Sequence, residues 1–332
     1  MSLEVAVAAA LFVGVLAYAL FGGADFGSGF FDLTAGGARR GAELRTLVDH
    51  SIGPVWEVNH VWLIYCLVVW WTAFPESFAA VMTTLIVPLL LALLGIVLRG
   101  ASFAFRKYSA TLSQARTFGA VFAVSSIITP FFLGTVAGAI ASGRVPAEGY
   151  GDRWSSWVNP TSVFGGIIAV GTCAFLAGVF LCADAVRAGK PALASTLRIR
   201  TLGVGLATGL IVFIALIPIQ MDAPTLAEGL ETQAAPLIVC SFLAGVTTLW
   251  LLWKSRFAIA RLPALIAVAT VISGWGVGQY PWLLVDEVLL ADAGGADATL
   301  RALLVAVAIA GVVVGPPLVL LFRLTQTERW SR

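Results

Sequence analysis

Two short stretches carry most of the polar residues that could do chemistry in an otherwise apolar chain. Asp25 follows a long apolar run, inside the glycine-rich string 22–29. Glu57, Asn59 and His60 lie within four residues of one another. Carboxylates and imidazoles exchange protons near neutral pH when their surroundings are partly buried. These residue types therefore predict a site that takes up and releases protons.

The spacing of the second group predicts how a helix would present it. Pro54 suits the first turn of a helix, so Glu57 is expected about three residues into that helix. His60 then lies three residues further on the same face, while Asn59 lies on a neighbouring face. A different interpretation of Glu57 stays open, because an acid in a first turn also stabilises the helix dipole.

Arg99 follows a third apolar run and is expected at the same membrane level as Asp25 and Glu57. An ion pair with one of these acids would hold a carboxylate there, because charges inside membranes are usually paired. In the alternative interpretation, Arg99 ends its helix and extends towards the interface. Asp25 would then be a helix-end residue in the headgroup layer.

The composition identifies the kind of protein that must position these residues. Of the 332 residues, 59% are apolar and 11% are charged, and the mean hydropathy is +0.95. Soluble domains carry about 25% charged residues, so a soluble or a disordered chain is excluded. The net charge of +2 offers no basic surface for phosphates, which excludes a nucleic-acid partner.

Nine long runs contain no Asp, Glu, Lys or Arg, and each is about long enough to cross a bilayer as a helix. Strands of a membrane barrel would instead alternate over about 10 residues. We therefore predict an all-α polytopic membrane protein that forms a single membrane domain over residues 1–332. Its nine transmembrane helices are expected at about 4–24, 55–75, 77–98, 117–142, 160–184, 201–221, 233–253, 262–283 and 302–323.

The basic residues predict the orientation of the chain in the membrane. Of the 20 Lys and Arg residues, all but Arg144, Arg153 and Arg301 follow an odd-numbered run. Basic loops stay in the cytoplasm, so we expect the N-terminus outside and the C-terminus in the cytoplasm. Because the nine apolar runs must lie in a membrane, the lipid bilayer is the first partner that the sequence predicts.

Histidines and methionines are too few for a chain of redox centres. The sequence contains two histidines, His50 and His60, and three methionines, whereas several haems need several axial ligands. A single haem on His60 is left open. The four cysteines have no metal-site spacing, so we expect no metal site on this chain.

Four ordered strings resemble subunit II of the cytochrome bd quinol oxidases. In that family an acid stands in a G-x-D-x-G motif, which Asp25 matches, and an arginine stands at the end of the third helix, which Arg99 matches. Glu57 stands where many members have Asp, and His60 departs from the Glu or Gln often found there. The strings are 23–29, 52–64, 73–75 and 99–106.

The resemblance implies a fold of nine helices, arranged as two four-helix bundles plus one peripheral helix. It also implies a non-catalytic chain that stabilises a larger subunit I, which carries haem b and haem d and oxidises quinol. In some members subunit II carries a proton pathway and a bound structural quinone. Asp25, Glu57, Arg99, Asn59 and His60 are our candidates for that pathway, and the quinone-binding residues stay unknown.

The expected function is thus that of a subunit in a terminal quinol oxidase in the plasma membrane of a prokaryote. The resemblance leaves open whether a small third subunit joins the complex. A proton-coupled secondary transporter of a small solute is the alternative function. Transporters of that class show inverted repeats and broken mid-membrane helices, which would distinguish the two.

Overall fold

The computed structural model describes residues 2–37, 39–52, 56–109 and 111–325, and it is almost entirely helical. In chain order the helices are α1 Leu3–Ala17, a π-helical turn Tyr18–Gly22, α2 Gly23–Leu33, α3 Ala42–Ile52, α4 Trp56–Ala73, α5 Pro75–Thr84, α6 Ile86–Lys107, α7 Leu112–Ala141, α8 Pro160–Arg187, α9 Pro191–Asp222, α10 Pro224–Glu231, α11 Ala235–Trp253, α12 Phe257–Gly278 and α13 Asp297–Thr325. Two short antiparallel strands, β1 Trp282–Leu284 and β2 Val288–Leu289, form a hairpin between α12 and α13.

Eight helical segments in the described residues are long and apolar enough to cross a bilayer. The number rises to nine if the bent pair Ala42–Ser51 and Trp56–Ala73 forms one span. The all-α polytopic membrane fold is therefore confirmed. The arrangement as two four-helix bundles with a peripheral helix stays a prediction, although α13 packs against α1 and α4 with Ile309 and Val312 exposed.

Several helices run further than the sequence predicted, among them α9, which begins at Pro191 rather than near residue 201. The first span continues through the π-helical turn and the glycine-rich string to Leu33. The third continues eight residues past Arg99 to Lys107. The prediction that Asp25 and Arg99 end their helices was wrong. A charge ends a membrane helix only if it must reach water, and these two residues meet inside the protein.

Helix starts follow local capping chemistry where the chain leaves the membrane. The side chain of Asn159 accepts a hydrogen bond from the Ser162 backbone N–H, and Pro160 occupies the first turn of α8. Thr111 and Gln114 form a capping box at the start of α7. Pro54, which was expected to open the second helix, lies outside the described residues.

The protein core joins helices from both halves of the chain. Five of its fully buried side chains, Phe31, Phe122, Leu176, Leu197 and Leu252, come from α2, α7, α8, α9 and α11 respectively. The helix α2 packs directly on both α7 and α8. It is therefore the element around which the polar residues of the first 106 positions are arranged.

Glycines allow α2 to approach its neighbours at backbone distance. A Cβ atom added at Gly27 would lie 1.8 Å from the carbonyl oxygen of Cys173 on α8. One added at Gly29 would lie 2.3 Å from the Cβ atom of Ser126 on α7. Small residues at helix interfaces permit such close packing in membranes, and here they bring Ser126 within reach of the residues near Asp25.

We predict that Gly27→Ala destabilises the protein although alanine favours helices. The new methyl group meets backbone atoms that cannot rotate away, and overpacking costs about 1–3 kcal/mol, more than the gain of about 1 kcal/mol in helix propensity. The control is Gly209→Ala in α9, where a Cβ would meet nothing within 4 Å. Thermal unfolding in detergent measures both. Equal melting temperatures for the two variants would contradict the close-packing argument.

Candidate functional site

A buried ion pair between Asp25 and Arg99 lies at the centre of the candidate site. Nη2 of Arg99 lies 2.6 Å from Oδ1 of Asp25 and donates a second hydrogen bond, of 3.2 Å, to the Asp25 backbone carbonyl. The two side chains are 1% and 2% exposed. The expected pairing of Arg99 with an acid is therefore present, and the alternative of a snorkelling Arg99 is wrong.

The rest of the Arg99 guanidinium is also surrounded by protein. Its Nε donates to the hydroxyl of Ser126 over 2.9 Å. The rings of Phe26 and Phe122 each lie 4.9 Å from the guanidinium carbon, as cation–π contacts. Arg99 is thus held by an acid, a hydroxyl and two rings at once, and these contacts offset the cost of burying a cation in the membrane.

Asp25 has one oxygen engaged by Arg99 and one without a partner. Its Oδ2 is buried and has no hydrogen-bond partner among the described residues. The same is true of the hydroxyl of Tyr18 and of Nδ1 of His60. Buried polar atoms normally find partners, so a group of three without one marks a place for water or for a transferable proton.

Ring contacts place these three residues together. The Tyr18 and His60 rings are 6.2 Å apart, and the Phe26 ring lies 6.3 Å from Tyr18 and 5.9 Å from His60. The Arg99 guanidinium binds the Asp25 carboxylate and also lies over the Phe26 ring, which places the carboxylate beside the same cluster. Tyr18 opens the π-helical turn, and such turns occur frequently at functional sites. We call Tyr18, Asp25, His60 and Arg99 the Asp25 cluster.

Of the other sequence-predicted candidates, Asn59 is buried and Glu57 is exposed. The Asn59 Oδ1 has no hydrogen-bond partner in the described part of the chain. Glu57 lies in the first described turn of α4 and makes no ion pair within the described residues. Glu57 is therefore in contact with solvent or lipid rather than enclosed by the neighbouring helices.

A second ion-pair cluster, which the sequence analysis missed, lies two helical turns from the first. Asp32 is buried and binds Nε of Arg45 and Nη1 of Arg106, each over 2.7 Å. Asp32 follows Asp25 by seven residues on α2, and Arg106 follows Arg99 by seven on α6. The two acids on α2 and the two arginines on α6 thus have the same seven-residue spacing. This equal spacing is the sequence signal that would have indicated a second contact between an acid and an arginine.

A third cluster ties the same end of the molecule to α12. The Asp184 carboxylate binds Arg187 and Arg261 and accepts a hydrogen bond of 2.9 Å from the Ser51 hydroxyl. Ser51 lies in the last turn of α3, so this cluster joins α3 to α8 and α12. We call the end of the molecule that holds Asp32 and Asp184 the basic end.

The two histidines lie in different surroundings. His50 is exposed on α3, and its Nδ1 lies 2.7 Å from the carbonyl oxygen of Thr46. The His60 ring centroid lies 6.2, 5.9 and 6.4 Å from the ring centroids of Tyr18, Phe26 and Trp56 respectively. No group of three potential metal-ligand side chains occurs in the described ranges.

The comparison with known protein families decides the identity of the fold. The model of the cytochrome bd terminal oxidase subunit II family matches residues 3–325 of the chain. The chain belongs to this family. The Asp25 cluster therefore lies in a bd oxidase subunit II chain, in agreement with the resemblance seen in the four sequence strings.

Individual relatives agree with the family. Subunit 2 of the cytochrome bd ubiquinol oxidase of Bacillus subtilis is 30% identical over 167 residues, which are 50% of this chain and 48% of that protein. Subunit 2 of the cytochrome bd-I ubiquinol oxidase of Escherichia coli is 29% identical over 171 residues, 48% of this chain and 44% of that protein. The chain thus spans about half the length of the curated relatives it matches.

A solved structure covers more of the fold. The bd oxidase from Geobacillus thermodenitrificans contains a chain that matches with a TM-score of 0.84 at 26% identity. The match covers 99% of this chain and 100% of that chain. The subunit II fold therefore extends over the whole helical array described above.

We predict that the ion pair between Asp25 and Arg99 is strongly coupled. Asp25→Asn leaves the buried Arg99 cation without its counter-charge, which costs about 3–5 kcal/mol. Replacing both residues, as Asp25→Leu with Arg99→Met, removes both charges and is expected to cost less than either single replacement. The free energy of unfolding in mixed-detergent titrations measures these differences.

The control is the exposed pair of Asp297 and Arg301, whose side chains are each 71% exposed. There Asp297→Asn should change stability by no more than about 1 kcal/mol. The argument fails if Asp25→Asn and Asp297→Asn cost the same, or if the charge-free double variant is the least stable of the set.

Proposed function

We propose that the chain is the non-catalytic subunit of a bd-type quinol oxidase, which oxidises quinol and reduces dioxygen to water. The family match along residues 3–325 and the full-length structural likeness support this proposal. They favour it over a proton-coupled transporter. The partner would be the larger subunit I, which would carry haem b and haem d, since the two histidines of this chain are too few to ligate several haems.

The remaining parts of this proposal rest on the sequence alone. The distribution of basic residues supports an N-terminus outside and a C-terminus in the cytoplasm of a prokaryotic cell. The basic end would then face the cytoplasm. A small third subunit and a bound structural quinone belong to the proposal as further partners of the complex.

The Asp25 cluster is proposed to help move protons towards the site of dioxygen reduction. Reduction of dioxygen to water consumes protons, and taking them from the cytoplasm makes the reaction separate charge across the membrane. The observation that carries this proposal is the Asp25 carboxylate, buried and paired through Oδ1 while Oδ2 has no partner. Arg99 holds the carboxylate in place, and Oδ2 accepts the proton.

Tyr18 and His60 are the groups through which that proton would leave or arrive. Each carries a buried polar atom without a partner, and their rings lie 6.2 Å apart. A hydroxyl and an imidazole can each accept a proton on one side and donate one on the other, so a bridging water completes the relay. Asn59 adds a further buried acceptor on the same helix as His60.

The route into the cluster is proposed to run along α4 rather than along α2. On α2 the buried Asp32 is held by Arg45 and Arg106, and two cations repel a proton moving past them. On α4 the exposed Glu57 precedes His60 by one turn. Glu57 would collect protons at the surface and pass them to His60.

We predict that Tyr18→Phe slows turnover of the assembled oxidase by about tenfold or more, because it removes a proton-relay hydroxyl. Stability should not change, since this hydroxyl has no hydrogen-bond partner and the ring contacts remain. The matched control is Tyr65→Phe, whose hydroxyl donates to the Ala10 carbonyl over 2.9 Å. That variant should lose about 1 kcal/mol of stability and keep its turnover. Wild-type turnover in Tyr18→Phe would remove Tyr18 from the path.

We predict that Glu57→Gln slows proton uptake from the cytoplasmic side and turnover together, while the haem content of the complex stays unchanged. The replacement keeps the shape of the side chain and removes its titration. Glu76→Gln is the control, because Glu76 is also an exposed acid in a first helical turn. If both variants behave like the wild type, Glu57 acts on the helix dipole alone, an effect of about 0.3–1 kcal/mol.

A further inference from the structure

A small polar cleft opens at the basic end, away from the Asp25 cluster. It has a volume of about 220 Å³ and lies between the segment 35–44 and the first three turns of α9. Its floor is apolar, because Ala35, Leu44 and Leu197 are buried there. Its polar walls include Arg40, Glu43 and Arg200.

Positive charge dominates the rim of the cleft. Arg40 and Arg200 line it directly, and the single acid, Glu43, has its carboxylate 3.7 Å from the Lys190 ammonium. Arg200 is anchored in place by a hydrogen bond of 3.1 Å from Nη1 to the Thr34 carbonyl. Three cations, Arg40, Arg200 and Lys190, therefore lie near one acid, and the Lys190 ammonium already balances the charge of that acid. An anion is the ligand that such a rim attracts.

Backbone donors add to this charge. Ala192 and Leu193 line the cleft in the first turn of α9, where backbone N–H groups have no partner within the helix. No side chain caps this helix. Amides at a helix start favour phosphate groups, so the first turn of α9 adds backbone donors at the edge of the cleft that Arg40 and Arg200 line.

The cleft is continuous with an apolar helix face that enters the membrane. Arg200 is the last charged residue before the charge-free run 201–221, which places its guanidinium at the edge of the bilayer. Beyond it, Gly203, Ala207 and Leu210 follow at helical spacing and are all exposed. A Cβ added at Gly203 would meet nothing within 4 Å. The face below the cleft is thus open to an acyl chain.

We propose that this cleft binds the phosphate of an anionic membrane lipid, with an acyl chain of that lipid lying along α9. Arg40 and Arg200 bind the phosphate oxygens, and the first amides of α9 complete the contact. The apolar face that begins at Gly203 distinguishes a lipid from free phosphate, because free phosphate gains nothing from it. The site is independent of the proposed proton path and needs only that Arg200 lies at the bilayer edge.

The test uses the purified two-subunit complex in detergent, titrated with dilauroyl phosphatidylglycerol and followed by native mass spectrometry. Arg200→Gln and Arg40→Gln should each weaken binding about tenfold, the loss expected when one charge-assisted hydrogen bond is removed. Arg39→Gln is the matched control, since Arg39 neighbours Arg40 in sequence and does not line the cleft. The control should bind the lipid as the wild type does. Arg40 is exposed, so its variant should fold even if Arg200→Gln does not.

Three results would overturn the proposal. The first is equal binding of phosphatidylglycerol by the wild type, Arg40→Gln and Arg39→Gln. The second is equally tight binding of dilauroyl phosphatidylcholine, whose headgroup has no net charge. The third is displacement of the lipid by inorganic phosphate at equal concentration, which would make the cleft a site for free phosphate.

Discussion

The cost of placing charges inside a membrane governs the first third of this protein. Asp25 and Arg99 are both buried at a level where neither can reach water, so each depends on the other. Their meeting requires α2 to run straight through its glycine-rich string and α6 to run past Arg99. It also requires α7 to approach closely enough for Ser126 to bind the guanidinium, which Gly29 permits.

The same constraint explains why several helices are longer than a bilayer needs. Where α2 and α6 continue beyond the first pair, Asp32 and Arg106 meet seven residues later on each helix. Asp184 on α8 binds Arg261 on α12 and joins these two helices in the same way. Each cluster joins elements that are distant in sequence. Together they join α2 to α6 and α8 to α12 at the basic end.

The Asp25 cluster contains both a buried ion pair and buried polar atoms that have no hydrogen-bond partner among the described residues. This combination is the basis of the proposed proton transfer. Within the described residues, Arg99 binds Asp25 through Nη2 and Ser126 through Nε, whereas Asp25, Tyr18 and His60 each retain one buried polar atom without a partner. A purely structural ion pair would not need such atoms around it. The proposed function, a subunit that stabilises an oxidase and conducts protons, would need both a rigid anchor and sites that exchange protons.

The sequence by itself determined the membrane class, the approximate positions of the helices, the family, and the expectation that Arg99 pairs with either Asp25 or Glu57. These features depend on composition, on apolar run length and on local motifs, all of which are readable along one chain. It could not determine that Glu57 is exposed, that Asp32 is buried between two arginines, or that Tyr18 belongs to the cluster. Exposure and partnership depend on which helix faces pack together, and that is set by close contacts such as Gly27 on Cys173. Those contacts join residues far apart in the chain, so only the tertiary structure decided them.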